Sequence, residues 1–177
     1  MNIVIIGGSR GIGKAAAREL LQDGHKVLIV GRNPKTLEET GKELAGAAIY
    51  PCDACRTDEV AGLVQKFLPL LAPGSRILLI GSTSGIRRDK GGIYGISKWA
   101  LRSYAYNLRE ECKPLGIGVS LINPGGTFTE TRKKSSEEDR SLLETTDLGK
   151  VIALTFRLSP QAVLEEVNIR PLQGDTY

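Results

Sequence analysis

At 177 residues, 41% hydrophobic and 25% charged, the chain is long enough for one domain with a sizeable core and has the composition of a soluble globular protein. A net charge of +4 without a long basic run fits an anionic small ligand at least as well as nucleic acid, and no stretch approaches the roughly 20 apolar residues of a membrane span. Three cysteines and one histidine argue for a reducing, cytoplasmic setting and against a metal site: Cys52 and Cys55 have C-x-x-C spacing, but no second pair accompanies them.

Asn2–Ile6 (NIVII) opens the chain as a strand buried on both faces, with no charged leader before it. The turn GGSRGIG, residues 7–13, enters a helix that ends at Gly24. Lys26–Val30 is a second strand. Asn33 then reads as the N-cap and Pro34 as the first residue of a helix reaching Leu44. A third strand lies near Ala47–Tyr50, and Thr57-Asp58-Glu59 opens a helix to about Leu71, broken by Pro73-Gly74. Arg76–Ile80 is a fourth strand, and a long helix runs from Ile93 to about Cys112, stopped by Pro114 and Gly116. His25, in a polar turn, is expected simply to face solvent.

Gly118–Ile122 is the fifth strand and ends in the loop Asn123-Pro124-Gly125-Gly126-Thr127. The polar stretch Thr129–Arg140 reads as mobile or ordered only with ligand. Thr146-Asp147 is expected to cap a last helix to about Leu158, Val163–Ile169 is the sixth strand, and Arg170–Tyr177 an exposed end. Strands and helices alternate throughout. The alternation predicts an α/β fold, a three-layer, doubly wound parallel sheet of about six strands (Rossmann-like), as one domain over residues 1–177.

The turn at 7–13 has the chemistry of a phosphate cradle. Gly7, Gly11 and Gly13 allow a tight turn and a bare backbone, and Ser9, Arg10 and Ile12 complete a loop whose amides meet a helix N-terminus. An acidic residue after the second strand would hold ribose hydroxyls and repel a 2′-phosphate; Gly31-Arg32-Asn33 stands there instead. Arg10 and Arg32 are expected to converge on one phosphate, which favours NADP(H) over NAD(H). Asp53, ending the third strand, is placed to accept from the adenine amino group.

Tyr94 and Lys98 are four apart and share one face of the long helix. An ammonium beside a phenol favours the phenolate. Ser82, twelve positions before Tyr94 at the end of the fourth strand, is placed to hold a substrate carbonyl against the phenol.

Together, GGSRGIG at 7–13, Gly31-Arg32-Asn33, Cys52-Asp53, Gly81-Ser82 with Tyr94-Gly95-Ile96-Ser97-Lys98, and Pro124-Gly125-Gly126-Thr127-Phe128-Thr129 resemble the short-chain dehydrogenase/reductase family over nearly the whole chain. The resemblance implies that Tyr94 is the acid/base, that Lys98 supports its ionisation and holds the nicotinamide ribose, and that Ser82 orients the carbonyl. It further implies that Pro124, Gly125, Thr127 and Thr129 fix the carboxamide end of the cofactor. The implied activity is that of a carbonyl reductase or alcohol dehydrogenase acting on a small-molecule carbonyl or alcohol, with neither nucleic acid nor membrane as partner and homo-oligomerisation left open. A second reading is a non-catalytic NADP(H)-binding sensor or interaction protein that kept the cleft.

One departure from the family stands out. Ser82 follows Asp53 by 29 positions, and no Asn-Asn-Ala-Gly occurs. A strand–helix–strand unit needs about 30 residues or more, so one strand–helix unit of the family is missing. The fourth strand is then expected beside the first, giving the order 3-2-1-4-5-6.

Overall fold

The computed structural model describes residues 1–53, 62, 65–86, 92–129 and 142–174. The strands are β1 (Asn2–Ile6), β2 (Lys26–Gly31), β3 (Ala48–Pro51), β4 (Arg76–Ile80), β5 (Gly118–Pro124), β6 (Thr127–Phe128), β7 (Leu143–Glu144) and β8 (Glu166–Ile169). Between them run helices α1 (Gly11–Gln22), α2 (Pro34–Glu43), α3 (Gly92–Cys112) and α4 (Thr145–Arg157). Six strands form a parallel sheet in the order β3-β2-β1-β4-β5-β8, as the spacing predicts.

Alternation along each strand feeds two cores. In β1, Ile3 and Ile5 pack with Ala16 and Leu20 of α1, Leu37 of α2 and Ile152 of α4; Val4 and Ile6 pack on the other side with Ala105 and Leu108 of α3. Each fully buried Ile or Leu of this kind contributes about 1.5–3 kcal/mol over an exposed one. β1 pairs with β4 directly, Val4 opposite Ile77, so β4 occupies the place beside β1 that the missing unit leaves.

Two opposite crossovers follow. The β4–α3–β5 and β5–α4–β8 connections step in the same direction across the sheet, yet α3 and α4 lie on opposite faces. The two connections therefore differ in hand, and the β5–α4–β8 passage is the exception to the right-handed rule. It carries α4 onto α1, where Gly149 lies against the backbone of Ala15.

Several boundaries differ from the sequence expectation. β2 extends to Gly31 and β5 to Pro124, while the last strand begins only at Glu166. Helix α4 starts at Thr145 with Glu144 at the N-cap and no side-chain cap; Asp147 sits in the first turn, where its charge meets the helix dipole, so Thr146-Asp147 is not the cap. The parallel pair β6–β7 was not foreseen. His25 is half-buried, its Nδ1 3.4 Å from the N-terminal amine, rather than simply solvent-facing. The helix expected at 57–71 lies mostly outside the described residues and ends in a 3-10 turn, Leu68–Leu70. Of the polar stretch 129–140 only Thr129 is described.

The face of α3 turned away from the sheet stays apolar: Ile93 is 87% exposed, and Ile96 and Trp99 are exposed with it. The Trp99 ring lies 5.5 Å from the Arg102 guanidinium.

Candidate functional site

The Gly7–Gly13 turn leaves β1 where the sheet reverses its winding, between β1 and β4. Gly7 and Gly8 donate to the Val30 carbonyl at 2.9 and 3.1 Å, and Thr40 Oγ donates to the Ser9 carbonyl at 2.7 Å, so β2 and α2 together hold the turn. A methyl on Gly13 would meet the carbonyl oxygen of Gly7 and lie 2.8 Å from Gly8 Cα; only glycine lets α1 start this close to the turn. The two helix starts nearby differ. Asn33 caps α2, its Oδ1 accepting from the Thr36 amide at 3.1 Å, whereas Arg10 occupies the N-cap of α1 without a side-chain cap. The start of α1 thus keeps the character of an anion site.

Arg10 turns its guanidinium onto Thr36 Oγ at 2.8 Å. With Ser9, Lys14, Thr36, Glu39, Thr40 and Glu43 it lines a polar cleft of about 390 Å³. Lys14 and Arg18 each reach Glu43 at 2.6 Å and offset its charge. Arg32 is exposed, without an ion pair among the described residues, one position before the α2 N-cap. Both arginines flank the same helix start. Asp53 is half-buried just beyond β3.

At the end of β4 the sequence-predicted trio is brought to one place. Ser82 is buried and caps the 3-10 turn Thr83–Gly85, its Oγ accepting from the Ser84 amide at 3.2 Å. A hydroxyl that accepts there keeps its own O–H to donate elsewhere. Lys98 Nζ donates to the Ile80 carbonyl at 3.3 Å and lies 5.6 Å from the centre of the Tyr94 ring. Tyr94 is 56% exposed, with its ring over the ammonium and its face open to solvent. Gly85 fixes this docking: a methyl there would come within 2.8 Å of the Lys98 carbonyl oxygen, so the turn after Ser82 and the helix carrying Tyr94 are in backbone contact.

The loop after β5 closes over the same region. Gly125 donates to Ile169 at 2.7 Å, Thr127 Oγ donates to Gly125 at 2.9 Å, and Leu143 donates back to Gly126 at 2.9 Å. Thr129 Cγ2 would lie 3.2 Å from a methyl on Gly11, which puts the loop directly against the glycine turn.

One cluster escaped the sequence reading. Asn123, 1% exposed on β5, donates to Glu166 Oε1 at 2.8 Å and to Asn168 Oδ1 at 3.0 Å. Arg102 of α3 pairs with both oxygens of Glu166, Nε at 2.9 Å and Nη2 at 3.2 Å, and the Tyr106 hydroxyl donates at 2.6 Å. Burial opposes ionisation of Glu166, but the hydrogen bonds from Arg102 and Tyr106 outweigh it and hold the carboxyl below its ordinary value of 4.5. A lowered folded-state value stabilises the fold fully above about pH 4.5 and loses that contribution as pH falls through the folded value. Melting curves from about pH 6 to about pH 3 are expected to show Tm falling below about pH 4.5, and Glu166→Gln is expected to remove this group's share of the fall. An identical acid profile in that variant would refute the assignment.

The geometry defines a doubly wound dinucleotide-binding fold with a Ser–Tyr–Lys group at the crevice. A family model for short chain dehydrogenase matches residues 1–72 and 60–140, and the chain belongs to the short-chain dehydrogenase family. Carbonyl reductase family member 4 of Danio rerio is 26% identical, with 83% of each chain covered. The NADP-dependent 3-hydroxy acid dehydrogenase YdfG of Escherichia coli (strain K12) is 26% identical over 224 positions, covering 94% of this chain and 87% of the relative. An alignment of 224 positions on a chain of 177 leaves at least 47 positions of YdfG without a counterpart, which accords with the missing unit. Among solved structures, BdcA in complex with NADPH superposes with a TM-score of 0.77 at 22% identity, over 99% of this chain and 95% of that one, a likeness of fold.

Proposed function

We propose that the chain is an NADP(H)-dependent oxidoreductase, a single-domain cytoplasmic carbonyl reductase or alcohol dehydrogenase for a small-molecule substrate. The observation that carries this reading is Lys98: one ammonium lies beneath the Tyr94 ring and on the Ile80 carbonyl, two positions from Ser82, at the strand end that adjoins the glycine turn. Tyr94 gives or takes the proton at its hydroxyl, Lys98 holds the phenol's charge and the nicotinamide ribose, and Ser82 donates to the substrate oxygen. When bound, the nicotinamide supplies or accepts the hydride.

The cradle fits a dinucleotide. Gly7, Ser9, Gly11, Ile12 and Gly13 offer backbone to a pyrophosphate at an uncapped helix start, where Gly13 excludes any side chain. Arg10, Arg32 and Asn33 surround the start of α2, where a 2′-phosphate would sit, and Asp53 faces the adenine. Pro124, Gly125, Thr127 and Thr129 bound the carboxamide end. BdcA, with NADPH, and the NADP-dependent YdfG support the cofactor choice. The exposed apolar face of α3 agrees with a homo-oligomer.

The test is an NADPH titration followed by NADPH oxidation against a panel of ketones, sugars and acyl thioesters. Saturable binding with turnover of at least one carbonyl is expected; binding without turnover on any member would favour the sensor reading. Arg10→Ala is expected to weaken NADPH about tenfold or more and to leave NADH unchanged, because one charge-assisted phosphate contact is worth about 1.5–3 kcal/mol. Equal wild-type affinity for NADPH and NADH would refute the 2′-phosphate site.

A further inference from the structure

We infer that Glu166 is a positioning residue for the Tyr94–Lys98 pair: through Arg102, Tyr106 and Asn123 it fixes the rotation of α3 against the ends of β4 and β5. The inference rests on the reading of Tyr94, Lys98 and Ser82 proposed above.

Tyr94, Lys98, Arg102 and Tyr106 are spaced four apart, so they form one row along α3. Glu166 grips the far half of that row, with two hydrogen bonds from Arg102 and one from Tyr106. The same carboxylate accepts from Asn123, whose Oδ1 fills the space a side chain on Gly81 would need, directly before Ser82. One charge therefore links the helix of the proton-transfer pair to the strand end that carries the carbonyl-orienting serine.

The remaining contacts of α3 make this link consequential. Its inner side rests on the sheet through Ala105 and Leu108, while Ile93, Ile96 and Trp99 on its outer side are exposed, Trp99 with its ring beside the Arg102 guanidinium. Rotation about the helix axis is opposed by the backbone contact of Lys98 with Gly85, by buried Arg109 on the Glu165 carbonyl and by the grip of Glu166. With a helix diameter of about 10–12 Å including side chains, a rotation of about 10° moves a side-chain tip by about 1 Å. A misplacement of that size costs up to ~10²-fold in rate. The Arg102 fork stacks near Trp99 and Tyr106, at 5.5 and 5.4 Å from their ring centres, and so is itself held in one orientation.

Glu166→Gln keeps an acceptor for Asn123 and Tyr106 but removes the charge that Arg102 pairs with; Glu166→Ala removes both. At saturating NADPH, kcat is expected to fall about threefold in the first variant and about tenfold or more in the second. The NADPH dissociation constant should change less than kcat in both, since the glycine turn is rooted on the opposite face and Lys98 alone of the displaced pair would touch the ribose. Amide hydrogen exchange, read by mass spectrometry, should rise in residues 83–86 and 92–101 of Glu166→Ala and remain unchanged in β1 and β2. A Glu166→Ala protein with lowered Tm but kcat within about twofold of wild type overturns the proposal and leaves Glu166 a stabilising residue only. If that variant does not fold, Glu166→Gln decides by the same split between kcat and NADPH affinity. If wild type turns over no carbonyl, the functional reading fails separately, and exchange alone decides: unchanged exchange at 92–98 overturns the positioning role.

Discussion

Tyr94→Phe is expected to reduce carbonyl turnover by roughly 10²- to 10⁴-fold while leaving NADPH affinity within about twofold of wild type. The substitution removes only the hydroxyl. The ring stays over Lys98, and because Tyr94 is 56% exposed the fold loses little, so Tm should move by no more than about 1–2 °C. The loss should appear in kcat rather than in the cofactor's dissociation constant, because the hydroxyl acts on the reacting oxygen and not on the dinucleotide. A Tyr94→Phe protein that reduces carbonyls as fast as wild type would remove Tyr94 from the reaction, whatever the cofactor does.

Gly13→Ala is the second large effect, and it falls on binding and stability. The new methyl meets the carbonyl oxygen of Gly7 and the Cα of Gly8, backbone atoms that β2 holds through the Val30 carbonyl. No rotamer relieves such a contact, so α1 must retreat from the turn. Overpacking of this kind costs about 1–3 kcal/mol, and this site belongs at the upper end because the obstacle is backbone. For a chain of this size that corresponds to a Tm lower by about 5–10 °C. Calorimetry and an NADPH titration check both halves: the variant should melt early and, where still folded, bind NADPH at least about tenfold more weakly. Wild-type affinity in the folded variant would mean that the turn does not cradle the dinucleotide.

The sheet was legible because its signals are local. An apolar run such as Asn2–Ile6 can serve both cores only as an interior strand, and the short distance from Asp53 to Ser82 leaves room for one crossover, which puts β4 beside β1. Tyr94 and Lys98 were legible for the same reason, since spacing along one helix fixes their common face. What stayed hidden depends on partners far along the chain. The Thr40 bond to the Ser9 carbonyl joins positions 31 apart, and Asn123 to Glu166 spans 43; neither leaves a periodic mark. Arg10 and Arg32 show the limit from the other side. Two cations near one turn suggest a common phosphate; Arg10 rests on Thr36 and Arg32 is exposed, and the NADPH titration decides whether they share that target. The face taken by α4 was equally unreadable, because nothing in the residues of a crossover helix states its hand.

That hand divides the labour of the molecule. By crossing to the α1 side, α4 roots the β6–β7 loop on the same helical layer as the glycine turn, and a bidentate Arg157–Asp23 pair at 2.9 Å ties the far ends of α1 and α4 together. Both walls that would grip a dinucleotide thus belong to one slab, and Tyr94 and Lys98 to the other, with the sheet as a septum between them. Substitutions in the α1–α4 seam are expected to act mainly on how firmly a dinucleotide is held, and substitutions along α3 mainly on turnover, with Lys98 bearing on both.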